Sequence, residues 1–161
     1  MLRRAQPLLG TLVEIACETG DDTASVEAAS DTARVASTAG FAAVARIHAL
    51  MSRHEAMSDL SQFNAAPLGQ WTQVAPETLE VFLFALQLSH QTGGIFDVCA
   101  IGIQDTPGSW RDIEIDLARS SLRKHAPLQA DLGGIAKGYA VDAGVNALQA
   151  AGAQRGSSRT R

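Results

Sequence analysis

The chain has 161 residues, enough for one domain with a real core, and its 46% hydrophobic and 19% charged residues are ordinary for a globular protein. A formal net charge of −4 excludes the basic footprint of a nucleic-acid binder, and no run is long and apolar enough to span a membrane. Cys17 and Cys99 are too few and too far apart for a disulfide framework or a metal knot, which points to a reduced, cytoplasmic setting.

Arg3 and Arg4 give a short basic start, but Thr11 and Glu14 interrupt the apolar stretch that follows, so no secretory signal is read. No lipoprotein cysteine follows a hydrophobic run. Thr11 to Cys17 reads as a strand, with Leu12, Val13 and Ile15 after Gly10. Thr19 to Thr23 is a polar turn. Ser25 to about Met51 is rich in alanine and predicts a long helix, with Phe41, Val44, Ile47 and Met51 on one face and Gly40 as a local weak point. A short helical turn is expected over Asp59 to Asn64, N-capped by Ser58. Trp71 to Val74 predicts a short strand.

Pro76 opens a second helix at its first position. Leu79, Phe82, Leu83 and Leu86 are its expected buried face, broadened by Val81, Phe84 and Leu88, and Gly93-Gly94 ends it. Ile95 to Ile103 reads as extended, and Asp105 to Trp110 as a turn around Pro107-Gly108. Asp112 to Leu117 alternates as a strand, with Ile113, Ile115 and Leu117 on one side. Ala126 to Leu132 is a further short strand. Gly134 to Ala151 is the third long helix, with Val141, Val145 and Leu148 on one face. The tail from Gly152 to Arg161 is basic and small, with no large apolar residue, and is expected to be disordered.

The run Asp131-Leu132-Gly133-Gly134-Ile135-Ala136-Lys137-Gly138-Tyr139-Ala140-Val141-Asp142 is the most informative segment. It ends an apolar stretch, turns through two glycines and opens a helix with a lysine in its first turn. Free backbone N–H groups, the helix dipole and Lys137 together suit an anion. The Walker phosphate loop is excluded because Lys137 precedes Gly138 and Tyr139 follows, and the Rossmann fingerprint lacks its third glycine. Spacing alone leaves a second reading open, in which the glycines serve packing and Lys137 is solvated. Metalloprotease, Cys-x-x-Cys and nucleophile-elbow patterns are absent, and His48, His54, His90 and His125 do not share metal-ligand spacing. Nothing sets a base beside Cys99, so no nucleophile is assigned.

Three further stretches stand in order with this run: Leu9-Gly10-Thr11, the segment Met51-Ser52-Arg53-His54-Glu55-Ala56-Met57-Ser58-Asp59-Leu60-Ser61-Gln62-Phe63-Asn64, and Gly93-Gly94-Ile95-Phe96-Asp97-Val98. Together they resemble the signature of the ApbE-type FAD:protein FMN transferases. The resemblance covers Pro7 to Gly152 and implies the N-terminal half of an α+β fold, with helices packed on mixed or antiparallel strands. On it, residues 1–152 form part of the family's domain and 153–161 a non-family basic tail, as a truncated or frame-shifted product would have.

The implied activity is Mg²⁺-dependent transfer of FMN from FAD to a Ser or Thr hydroxyl of a target flavoprotein, with release of AMP. The implied FAD contacts are Leu9, His54, Ile95, Phe96, Asp97, Asp131 and Lys137, and Gly134 would offer its carbonyl to Mg²⁺. His54 stands where the family often has tyrosine; Arg53, Glu55 and the Ala100-Ile101-Gly102-Ile103 stretch depart from its pattern. Asp142 reads as a structural partner of the helix dipole. Relatives are often exported. Because the family's other metal ligands belong to its C-terminal half, the chain alone is expected to be weak or inactive. The alternative reading is a non-catalytic FAD-binding or interaction fragment.

Overall fold

The computed structural model describes residues 1–18, 26–99 and 107–160. The polar turn expected at Thr19 to Thr23, and the stretch 100–106 within two other expectations, lie outside those residues. The described chain is α+β, as expected, and its strands pair antiparallel in two three-stranded sheets. It divides into two compact units, Met1–His48 with Lys137–Arg161, and Ala49–Ala136.

In the first unit, β1 (Leu2–Leu8) and β2 (Thr11–Glu18) form a hairpin, and β6 (Arg155–Thr160) pairs with the other edge of β2. β2 is a strand as expected, and it alternates: Val13, Ile15 and Cys17 are buried, whereas Leu12 is 41% exposed. β1 was not anticipated, because it carries two arginines and Pro7 among few apolar residues. It is an edge strand, where a proline without an N–H is tolerated. Arg4 of β1 donates to Ser37 Oγ and Thr38 Oγ1, both at 2.9 Å, and lies over the Phe41 ring.

The two-residue connection Leu9-Gly10 has φ of 58° and 69°. Positive φ at both positions matches the right-handed twist of the flanking strands. Gly10 adopts it freely; Leu9 does so at a cost of about 1 kcal/mol.

The tail expected to be disordered instead supplies β6. Its residues add almost no apolar area, but the open edge of β2 gives their backbone groups partners. Arg159 Nη2 reaches Glu14 Oε1 at 2.6 Å across the pair. The strand is polar even where it turns inward: Ser158 is buried and its Oγ has no hydrogen-bond partner.

Helix α1 (Val26–Met51) buries Phe41, Val44, Ile47 and Met51, the face its periodicity predicted. Helix α4 (Ala136–Ala150) starts later than expected, after a turn at 133–135. Its inward face is Ala140, Gly144 and Leu148, with Val141 and Val145 only half-buried beside it. The reason is close approach. A Cβ on Gly144 would lie 3.1 Å from Val44 Cγ2, and one on Gly40 would lie 2.9 Å from Ile15 Cδ1 and 3.2 Å from Leu148 Cγ. Gly40 is thus the gap that lets α1 receive Ile15 and Leu148.

The second unit holds α2 (Asp59–Ala65), β3 (Thr72–Gln73), α3 (Pro76–Gln91), β4 (Ile113–Asp116) and β5 (Ser121–Lys124), with strand order β3-β5-β4. Ser58 caps α2 as expected, its Oγ accepting from Ser61 N at 3.0 Å. Asp59 caps a different helix: its Oδ2 accepts from Ala75 N and Thr78 Oγ1, both at 2.7 Å. Ala75 at the N-cap of α3 has no side chain able to do this. Phe63 and Phe82, both fully buried, meet edge to face at 5.4 Å.

The buried side of α3 is Thr78, Leu79, Val81, Phe82, Ala85 and Ser89. Leu83, expected inside, is 40% exposed, and Phe84 is 58% exposed. The sequence periodicity misleads here because leucine and phenylalanine populate both sides of the helix, while small polar residues fill part of the buried one. β4 is confined to Ile113–Asp116, which leaves Leu117 in the following turn and exposed. β5 was not anticipated, since of its four residues only Leu122 is apolar. Arg123 of β5 stacks on Trp71 and reaches Glu114 Oε2 at 2.7 Å, and His125 Nε2 lies 2.6 Å from the same oxygen. Residues 95–99, expected to be extended, form turns, and 126–132 follow no regular strand.

Gly40→Leu is expected to lower the unfolding free energy by about 1–3 kcal/mol, the usual cost of overpacking a filled core. Denaturant unfolding measures this; an unchanged midpoint would contradict the packing described.

Candidate functional site

Asn64, at the end of α2, fixes the segment that leads into the glycine turn. Its Nδ2 donates to Ala130 O at 2.9 Å, and its Oδ1 accepts from Ala130 N at 2.8 Å. A side-chain amide here takes the place of a neighbouring strand and satisfies both backbone groups of a residue in irregular chain. Leu128, Ala130 and Leu132 are buried around that bond. Lys124 secures Asn64 in turn: its buried ammonium donates to Asn64 O at 2.5 Å. It sits where the last carbonyls of α2 favour a cation, while burial holds its pKa below the ordinary lysine value.

Asp131, one residue on, joins three chain segments. Its N–H donates to Val98 O at 2.8 Å. Its Oδ1 accepts from Gly133 N at 2.7 Å, which folds the glycine turn, and its Oδ2 accepts from Arg53 Nη1 at 3.3 Å. Residues 51–64, 93–98 and 131–134 therefore converge within one compact unit. Phe96 reaches the same turn, its ring 3.6 Å from where a Gly134 Cβ would stand. The Phe96 N–H donates to Thr92 Oγ1 at 3.1 Å, which orients the Phe96 loop.

Of the residues singled out by sequence, Phe96, Asp131 and Gly134 are thus in one place. His54 is exposed, in the turn after α1, and Arg53 Nε points to its Nε2 at 3.5 Å. Ile95 is 93% exposed, so it is available to a ligand and does nothing for the core. Asp97 already serves its own loop: its Oδ1 accepts from Cys99 N at 2.8 Å and Trp110 N at 3.2 Å. Leu9 and Lys137 belong to the first unit, Leu9 half-buried in the β1–β2 turn and Lys137 exposed in the first turn of α4. Asn64, Asp59 and Thr92 were missed as positioning residues. Their contacts lie 66, 16 and 4 residues away in sequence, and only the last spacing is visible without a fold.

Burial disfavours the thiolate at both cysteines. Burial pushes Cys99 up to about 12, helped by the Asp97 carboxylate beside it. Burial also raises Cys17, whose Sγ donates to Ala33 O at 3.3 Å. Among the described residues no group of three His, Cys, Asp or Glu could hold a metal ion. The Gly134 carbonyl is one oxygen ligand, and Mg²⁺ requires more. The described residues do not by themselves fit a Mg²⁺ site. No helix among them is long and apolar enough to cross a membrane.

Residues 9–157 match the ApbE family. No curated protein matches the chain. Similar solved structures include the ApbE protein of Thermotoga maritima, at 20% identity and a TM-score of 0.80. The flavinyl transferase ApbE of Pseudomonas stutzeri, in its apo form, matches at 24% and 0.80, and a variant of the flavin transferase ApbE of Vibrio cholerae at 22% and 0.79. The matches cover 98–99% of this chain but only 53–59% of those chains. The chain therefore spans little more than half the length of these proteins.

With a pKa of about 12, Cys99 holds only ~10⁻⁴ of its population as thiolate at pH 8. Iodoacetamide labelling followed by mass spectrometry should leave both cysteines unmodified in the native chain and alkylate both in denaturant. Fast native labelling of Cys99 would contradict its placement.

Proposed function

Because the chain belongs to the ApbE family, we propose that it binds FAD and serves FAD:protein FMN transfer. The observation that carries this reading is the convergence on Asp131. Three motif segments meet there around two exposed glycines, with an aromatic ring and a guanidinium beside them. That combination supplies what a flavin nucleotide needs: backbone approach, an apolar or aromatic face, and cations for phosphate. Lys137 and Leu9 are proposed as further FAD contacts on the strength of their places in the family's motifs.

In the proposed reaction the hydroxyl oxygen of a Ser or Thr in a target flavoprotein attacks the phosphorus of the FMN half. A new P–O bond forms, the bond to the AMP oxygen breaks with its electron pair, and the hydroxyl proton is lost. This chain's own groups hold and orient the dinucleotide. Asp131 fixes the glycine turn, His54 and Phe96 flank the ligand, and Arg53 offsets phosphate charge. Mg²⁺ would supply further stabilisation of the phosphoryl oxygens, with Gly134 O as the contribution from this chain. The chain by itself is proposed to bind FAD and to transfer FMN weakly or not at all.

FAD titration by fluorescence and calorimetry, with and without Mg²⁺, tests the reading. Micromolar binding that weakens about tenfold in Lys137→Ala is expected, since a lost charge-assisted contact is worth roughly that much. A Thr-containing acceptor peptide then separates the alternatives: AMP release means a transferase, whereas binding without AMP means a non-catalytic FAD-binding fragment. No binding at high micromolar FAD would overturn the proposal.

A further inference from the structure

Arg53 departs from the sequence pattern of the family, and the fold gives it a defined position. Its guanidinium spans two loops, with Nη1 3.3 Å from Asp131 Oδ2 and Nε 3.5 Å from His54 Nε2. Both contacts are long. The side chain is 50% exposed, whereas the Asp131 side chain is only 16% exposed. Among the described residues these two contacts occupy two of its N–H groups, and a guanidinium carries five. An exposed pair of this geometry adds little to stability, so the cation has little structural reason to be there.

Its surroundings supply a different reason. The Gly133 N–H and the Arg53 guanidinium share the Asp131 carboxylate, one oxygen each. That sets the cation next to two exposed glycines, where a ligand can approach the backbone. A phosphate entering this turn would otherwise meet the negative charge of Asp131. Arg53 neutralises that charge and keeps planar donors free for phosphate oxygens.

We propose that Arg53 is a specificity-determining residue that binds a phosphate of the flavin nucleotide and so selects phosphorylated flavins over riboflavin. This rests on the FAD-binding reading above. The test measures FAD, FMN and riboflavin affinities, at low and moderate salt, for the native chain, Arg53→Gln and Arg53→Lys, with a thermal melt of each.

Arg53→Gln should weaken FAD and FMN roughly tenfold, the scale of one charge-assisted hydrogen bond, and leave riboflavin within about twofold. The salt dependence of FAD binding should flatten in the same variant. Arg53→Lys should recover most of the loss, and all melts should agree closely. Equal weakening of all three flavins would mean that Arg53 only shapes the loops, and unchanged FAD affinity would mean that it touches no phosphate; either overturns the proposal while FAD binding stands. A native chain that binds none of the three flavins overturns both.

Discussion

The bond between the Asn64 carboxamide and both backbone groups of Ala130 is the constraint on which the site depends. The chain from 125 to 135 crosses the second unit without a strand to pair with, so its polar groups need partners from elsewhere. Asn64 supplies them, and it can because α2 is held rigid. Ser58 caps the start of that helix, Leu60 and Phe63 bury its inner face, and Lys124 covers the carbonyl of Asn64. Removing the carboxamide would leave a buried N–H and a buried C=O of Ala130 unmatched, a penalty of the order of 1–3 kcal/mol for each group.

The same constraint explains the chemistry the turn can offer. With Ala130 fixed, Asp131 presents its N–H to Val98 and its carboxylate to Gly133 and Arg53. Two loops that contain glycine pairs are thereby held together, with Gly133 and Gly134 exposed beside the Phe96 ring. The acidic groups of this region are largely committed to holding backbone: Asp59 caps α3, Asp97 ties its own loop to Trp110, and Asp131 folds the glycine turn. Such carboxylates organise donors for an anion.

Much of the architecture was legible in the sequence. Helical periodicity located α1, α3 and α4 to within a few residues, the Ser58 cap marked α2, β-branched residues marked β2, and alternation located β4. What escaped was local sequence whose structure depends on distant partners. β1, β5 and β6 are short, polar or proline-containing, and they exist because an adjacent strand edge accepts them. Leu83 follows the helical period yet faces out, because Thr78 and Ser89 occupy buried positions that hydropathy assigns to solvent. At the site, the motif segments were visible as motifs. The reason for their convergence was not, because Asn64 and Ala130 meet across 66 residues. Arg53 stood out only as a departure from pattern until its carboxylate partner was located.

Amide hydrogen exchange, with and without FAD, tests this account most directly. The Ala130 amide should be among the slowly exchanging amides of the second unit before any ligand is added, because Ala130 is buried and its N–H donates to Asn64 Oδ1. Addition of FAD should then slow residues 93–98 and 131–135 together. Rapid exchange at Ala130 in the free chain, or protection of only one of those two segments by FAD, would contradict the claim that Asn64 and Asp131 join them into a single flavin site.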